Sequence, residues 1–163
     1  MRSQLRHSTC SSSNKFLLEQ GRAKPMVSPD FIVGLTDGEG CFYVLVRPPY
    51  NKNGGAMIQL RFFIKVQEED RNMLEKVRNT LGCGAVYFQH ETRKNHVQCY
   101  RYTVGSHRDI LGKIIPFFQN YPLQSTSKSR NFKFFCDVAS LVLQGAHHKR
   151  EGINQIKKLK SQM

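Results

Sequence analysis

The clearest periodic signal runs from Ala56 to Gln67 (AMIQLRFFIKVQ). There Ile58, Leu60, Phe62, Ile64 and Val66 alternate with Gln59, Arg61, Phe63, Lys65 and Gln67. Strict period-two alternation predicts a strand with one apolar and one polar face. Upstream, Cys41 to Arg47 (CFYVLVR) reads as a second strand, stopped by Pro48 and Pro49, with PYNKNGG as the turn between the two. Downstream, EEDRNMLEKVRNTLG switches to the helical period. Met73, Leu74, Val77 and Leu81 form its stripe, acids open it and Gly82 closes it. Ala85 to His90 and His96 to Val104 predict two further strands around a polar turn, ETRKN.

Ser28, Pro29 and Asp30 make a good helix start: a capping hydroxyl, a proline for the first turn and an acid at the positive end. The helix is expected from Asp30 to Asp37, stopping in the Gly38/Gly40 region. Ser106 with Asp109 resembles a capping box and opens a helix through Phe118. SKSRNFKFFCDVASLVLQ is a further helix, and Arg150 to Met163 places Ile153, Ile156 and Leu159 on one side with lysines on the other. In outline the order is α-β-β-α-β-β-α-α. The fold class is α+β: a four-stranded antiparallel sheet backed by helices on one face, with the other face open. No repeat is seen, and DGEG occurs once. The domain is expected over 28–163, behind a basic, Ser-rich extension over 1–27 whose composition suits a transit peptide and a basic arm equally.

Charge sharpens this picture. The chain has 25 Lys plus Arg against 12 Asp plus Glu, a formal net charge of +13. Such an excess points first to nucleic acid and only then to an anionic membrane surface. No stretch approaches the length of apolar residues that a membrane span needs, so no membrane is expected. The open face of the sheet would carry Tyr43, Leu45 and Arg47, then Gln59, Arg61, Phe63 and Lys65, then Tyr87 and Gln89, then Arg101 and Thr103. Most are side chains that read base edges or hold phosphates. A strand of about eight residues, at roughly 3.3 Å each, spans some eight base pairs. Cysteines are odd in number and lack a CxxC pair, so neither a disulfide framework nor a zinc ribbon is indicated. Cys41, Cys83 and Cys99 are expected as small buried hydrophobes. His147 and His148 read as a surface pair, not as half of a zinc site.

Asp37 and Glu39 then stand out. Two acids at a helix C-terminus oppose the helix dipole. A divalent cation relieves that repulsion, and carboxylates are ligands for Mg²⁺. The rival reading is a plain helix end with two surface acids. Gly34 and Gly38, four apart, share a helix face and permit close packing of two helices. A symmetric dimer through that face would bring two acidic centres together on a two-fold axis.

FIVGLTDGEG resembles the signature of the LAGLIDADG homing endonucleases, with Ile32 to Gly40 filling its nine positions. Val33 and Thr36 depart from the consensus Ala and Ile. LRFFIKVQEEDRNMLEKV, LGCGAVYF and IIPFFQNYPLQSTSK resemble further family segments, so the resemblance covers about residues 29–160. It implies a site-specific, intron-encoded DNA endonuclease, placed in a chloroplast or mitochondrion, that makes a metal-dependent double-strand break in a long, near-palindromic target. An intron-splicing maturase or a non-cleaving DNA-binding protein on the same fold is the alternative. Single-motif members act as homodimers, which places Gly34, Asp37 and Gly38 at the interface. Glu39 matches the metal-binding acid and Gly38 a position whose carbonyl helps hold the metal. Asp37 matches the acid that more often supports the helix pair. Gln67 and Lys128 are the candidates for residues that organise water at the scissile phosphate, with Val66 as the strict alignment of the first and Arg130 as a substitute for the second. Mg²⁺, double-stranded DNA and a second copy of the chain are thus the implied partners, with no small-molecule substrate.

Overall fold

A computed structural model of the chain describes residues 27–48, 56–92 and 96–163. The extension up to residue 26, the expected turn at 49–55 and the tip of the ETRKN turn lie outside the described residues.

Helix α1 spans Pro29–Glu39, with Ser28 Oγ accepting from the Phe31 N–H at 3.2 Å. It runs two residues further than the sequence reading, so Gly38 and Glu39 are helical. Gly40 ends it: its N–H bonds the Thr36 carbonyl while its backbone is already extended. A side chain there would strike Thr36, since an added Cβ would lie 2.5 Å from Cγ2. The missing Cβ therefore lets α1 pass straight into strand β1, Gly40–Arg47. Strand β2 is Met57–Gln67. A single 3₁₀ turn leads into helix α2, Arg71–Leu81, which closes at Gly82 in the left-handed conformation.

Strands β3 and β4 are Ala85–Gln89 and Cys99–Val104, both shorter than expected. The reason lies in the connection. The Glu91 N–H donates to Gln98 Oε1 at 3.1 Å, and Gln98 Nε2 donates to the Glu91 carbonyl at 3.2 Å. Glu91 and Gln98 are thus joined through a side chain in place of a backbone ladder. All strand pairs are antiparallel, in the order β1-β2-β4-β3.

Three helices follow the sheet, the three segments named from the sequence, so the outline order was one helix short. Helix α3 runs continuously from His107–Asp109 through a π-helical turn, Ile110–Ile114, to Ile115–Asn120. In that turn the Ile115 N–H reaches back to the Ile110 carbonyl. Pro116 follows and lacks an N–H, so the ordinary ladder cannot continue through it and the helix widens just before. Helix α4 is Thr126–Leu143 and α5 is Arg150–Lys160.

The core lies between the sheet and these helices. Phe42, Val44, Ile58, Leu60, Phe62, Ile64, Tyr102 and Val104 are buried on the inner face, opposite Ile32, Leu74, Ile114, Phe118, Phe135 and Ile156. Phe42 stacks on Phe62 at 5.2 Å and meets Phe118 edge-on at 5.4 Å. Val27 joins the folded part: its N–H donates to Thr80 Oγ1 on α2 at 3.3 Å. The cysteines depart from expectation. Cys41, Cys83 and Cys99 are only half-buried, and strand parity puts Cys41 and Cys99 on the open face.

Candidate functional site

The register aligns the open face into rows. Tyr43 sits beside Arg61 and Leu45 beside Gln59. Phe63 sits beside Thr103, and Lys65 beside Arg101, which in turn faces Tyr87. Gln67, Cys99 and Gln89 form the last row. Antiparallel partners project to the same side of a sheet. All eleven side chains expected on this face therefore share it, including Arg101 and Thr103, whose neighbours Tyr102 and Val104 are buried on the inner side.

Tyr43, Arg61, Phe63, Arg101 and Thr103 line a trough of about 300 Å³. The Arg101 guanidinium lies over the Phe63 ring at 4.5 Å, and its buried Nε has no hydrogen-bond partner among the described residues. Stacking fixes the guanidinium plane and leaves a donor uncommitted.

A second cleft, of about 490 Å³, opens where α1 ends. Leu35, Glu39, Lys65, Val66, Gln67, Asp70, Met73 and Cys99 line it. Glu39 and Gln67, far apart in sequence, thus meet in one depression. Strand parity distinguishes Gln67 from Val66: Gln67 belongs to the open-face row, whereas Val66 is buried with the core. Glu39 is exposed, and its carboxylate forms no hydrogen bond or ion pair with another described residue. Asp70, Met73 and Cys99 were not foreseen. Parity along β4 was the available signal for Cys99; the placing of Asp70 needed the packing of α2 beneath the sheet.

Lys128 is not among the residues lining that cleft. Its Nζ donates to the Gly40 carbonyl, one residue beyond Glu39. It sits close enough to Cys41 to oppose the upward shift that burial gives the Cys41 thiol, as does Arg101. Arg130, the substitute for Lys128, is exposed on α4.

Asp37 has a specific task within the chain. Its Oδ2 accepts from the Gln124 N–H at 2.8 Å and its Oδ1 from the Ser125 N–H at 3.2 Å. Ser125 is the N-cap of α4 and makes no side-chain cap of its own. Asp37 therefore caps α4 from another helix. Its charge opposes the dipole of α1 but complements that of α4. Gly34 and Gly38 are exposed on α1, and a Cβ added at either meets nothing within 4 Å. Phe31, 42% exposed, and Tyr121, 41% exposed, are the large apolar side chains left open on α1 and at the end of α3.

The donor set suits a hard cation. Glu39 offers a free carboxylate, and the last carbonyls of α1, that of Gly38 included, have no partner within the helix. No group of three or more His, Cys, Asp or Glu side chains that could hold a metal occurs among the described residues. One carboxylate and the helix-end carbonyls therefore fit only a hard divalent ion whose shell is completed by water and substrate phosphates.

A helix that ends in two acids and feeds directly into an antiparallel saddle with a basic open face is the architecture of a homing endonuclease. A family model described as LAGLIDADG endonuclease matches residues 32–139, and the chain belongs to that family. "Probable intron-encoded endonuclease 3" of Neurospora crassa is 34% identical over 138 residues, covering 84% of this chain and 25% of that protein. "Probable intron-encoded DNA endonuclease 1" of Mycosarcoma maydis is 33% identical over 116 residues, covering 69% of this chain and 39% of the relative. The chain thus spans well under half the length of either curated relative. Among solved structures, the homing endonuclease I-TnaI superposes with a TM-score of 0.71 at 34% identity, over 84% of this chain and 88% of that one. I-SmaMI, bound to an uncleaved DNA target in the presence of calcium ions, superposes with a TM-score of 0.74 at 29% identity, over 83% of this chain but 44% of its own.

Proposed function

We propose that this chain is a site-specific homing endonuclease, intron-encoded and acting in an organelle, that breaks both strands of a long, near-palindromic DNA target with Mg²⁺. The observation that carries the reading is the exposed, uncommitted Glu39 carboxylate in a cleft with Gln67 and Lys65, at the end of a basic open sheet.

The open face supplies binding. Arg47, Arg61 and Arg101 attract the phosphates, and the Gln, Tyr and Thr side chains between them meet base edges. Glu39, with the Gly38 carbonyl, would hold the metal. When bound, such an ion polarises a phosphoryl oxygen and lowers the pKa of coordinated water. Gln67 holds water in the cleft by its amide. Lys128 stands beside Gly40, within the stretch that follows Glu39, and adds positive charge near the phosphate. A single chain presents one Glu39, so cleavage of two strands calls for a second such centre. Pairing of two copies through the open Gly34/Gly38 face of α1 would supply it, in a homodimer with the two-fold character of a palindromic site.

Glu39→Gln tests the core of this reading. The variant keeps the side-chain volume and removes the charge. It is expected to bind the selected target with wild-type affinity and to lose cleavage in Mg²⁺ by at least about a hundredfold, as for loss of a principal electrostatic catalyst. Normal nicking by Glu39→Gln overturns the assignment. In the same preparations Gly34→Leu should leave each chain folded and abolish dimer formation in sedimentation.

A further inference from the structure

Two glutamines of the open face are held by charged neighbours of opposite sign. Gln89 Nε2 donates to Glu91 Oε1 at 2.9 Å. Gln59 Oε1 accepts from Arg61 at 3.0 Å. A carboxylate only accepts and a guanidinium only donates, so chemistry dictates which end of each amide faces its neighbour. Neither amide can turn over without setting acceptor against acceptor or donor against donor. Gln89 is left with its carbonyl oxygen as the outward group, and Gln59 with its NH₂. Among the described residues the one other bond from the Gln59 side chain is a weak one to Met57 Sδ, at 3.8 Å.

Glu91 is well anchored for this work. Its side chain is 12% exposed, its backbone is tied to Gln98 in both directions, and Lys65 pairs with its carboxylate. Arg61 is placed by strand parity beside Gln59 on the same face of β2.

We infer that Glu91 and Arg61 are positioning residues that set the base preference of the sheet, holding Gln89 with its carbonyl oxygen outward and Gln59 with its NH₂ outward. The inference rests on the proposed reading of this face as a DNA interface. In the major groove only adenine N6 and cytosine N4 donate; adenine N7, guanine N7 and O6, and thymine O4 accept. Gln89 should therefore select adenine or cytosine at the base it meets. Gln59 should accept every base except cytosine. The two readers act at different places. Gln89 lies in the row of Gln67, beside the cleft, whereas Gln59 lies eight residues back along β2, roughly 26 Å away at about 3.3 Å per residue. That separation is some eight base-pair steps.

The test is a base-preference profile. Affinity of the full chain is measured for duplexes in which each position of a selected target is varied in turn. The wild type should show about a fivefold preference for adenine or cytosine at one position near the centre, the weight of one hydrogen bond. It should also show about a fivefold rejection of cytosine at one outer position. Glu91→Gln lets the Gln89 amide turn and should reduce the central preference below about twofold, leaving the outer one intact. Arg61→Met should do the converse. Freeing Lys65 from Glu91 raises affinity for all sequences alike and leaves these ratios unchanged. Gln89→Leu must erase the same central preference, which keeps the test decisive if Glu91→Gln fails to fold. Unchanged profiles in Glu91→Gln and Arg61→Met, with sequence-selective binding retained, overturn the inference and leave the proposed function standing. Absence of any sequence-selective binding by the wild type overturns both.

Discussion

Replacing Asp37 separates the electrostatic cost of this acid from its benefit. In Asp37→Ala the Gln124 and Ser125 N–H groups lose the carboxylate that accepts from them at 2.8 and 3.2 Å. Loss of an N-cap acceptor costs about 1 kcal/mol, within a range of about 0.5–2. The negative charge at the positive end of α4 contributes about 0.3–1 kcal/mol, and at the negative end of α1 it costs a similar amount. Those two contributions offset, so the cap decides the sign. Asp37→Ala should destabilise the chain by about 1–2 kcal/mol. Asp37→Asn, which keeps a neutral acceptor, should lose about half of that. For a chain of 163 residues the larger loss lowers the melting temperature by about 3–6 °C. Urea unfolding gives the free energies, with an unchanged slope showing that only the native state was altered. The cap is intramolecular, so the loss should be the same at protein concentrations tenfold apart, whereas a loss through subunit contacts should vary between them. Asp37→Ala within about 0.3 kcal/mol of wild type at both concentrations refutes the reasoning.

Three further outcomes follow from the same geometry. Gly40→Ala forces a Cβ to within 2.5 Å of Thr36 Cγ2 and 2.7 Å of its carbonyl oxygen, and should cost about 1–3 kcal/mol in a thermal melt. Burial, helped by Asp137, pushes the Cys136 thiol up to about 11. The folded chain then keeps a proton that the unfolded chain sheds above about 9, so stability should fall as pH rises from about 9 to 11. Urea midpoints should show a shallower fall in Cys136→Ala. His147 is shifted the other way, its pKa lowered by burial and then by His148 and His107. The unfolded chain binds that proton more readily, so stability should decline as pH drops below about 6.5, and His147→Gln should lessen the decline between pH 7 and 5.

The sheet was legible because β2 states its parity without ambiguity. Once Leu60, Phe62 and Ile64 are assigned inward, antiparallel pairing carries the assignment to β1 and β4, and the open face follows residue by residue. What escaped the sequence was whatever depends on contacts between distant segments. Asp37 looked misplaced because its beneficiary, the start of α4, lies 88 residues away at Ser125. Asp70 entered the cleft through the packing of α2. The connection after β3 read as a plain polar turn, since nothing in ETRKN announces that Glu91 reaches back to Lys65 and Gln89. The cysteines misled because composition favours their burial while parity, a stronger local constraint, put two of them on the open face.

The acids at the working side of this basic chain divide by what neutralises them. Asp37 is satisfied by two backbone N–H groups and the positive end of α4. Glu91 is satisfied by Lys65 and Gln89. Glu39 has neither kind of partner among the described residues, although Lys65 lines the same cleft and carries the opposite charge. That lysine is committed to Glu91. The arrangement commits the lysine of that cleft to a partner other than Glu39, at the expense of a second acid on an otherwise basic face. Had Lys65 paired with Glu39 instead, the carboxylate would be occupied and a cation would have to displace an internal ion pair before binding. By holding Lys65 elsewhere, Glu91 leaves Glu39 open to an external cation. The same carboxylate that holds Gln89 thus also holds the lysine of the Glu39 cleft, so in the proposed reading base selection and metal capture depend on one side chain on the β3–β4 connection.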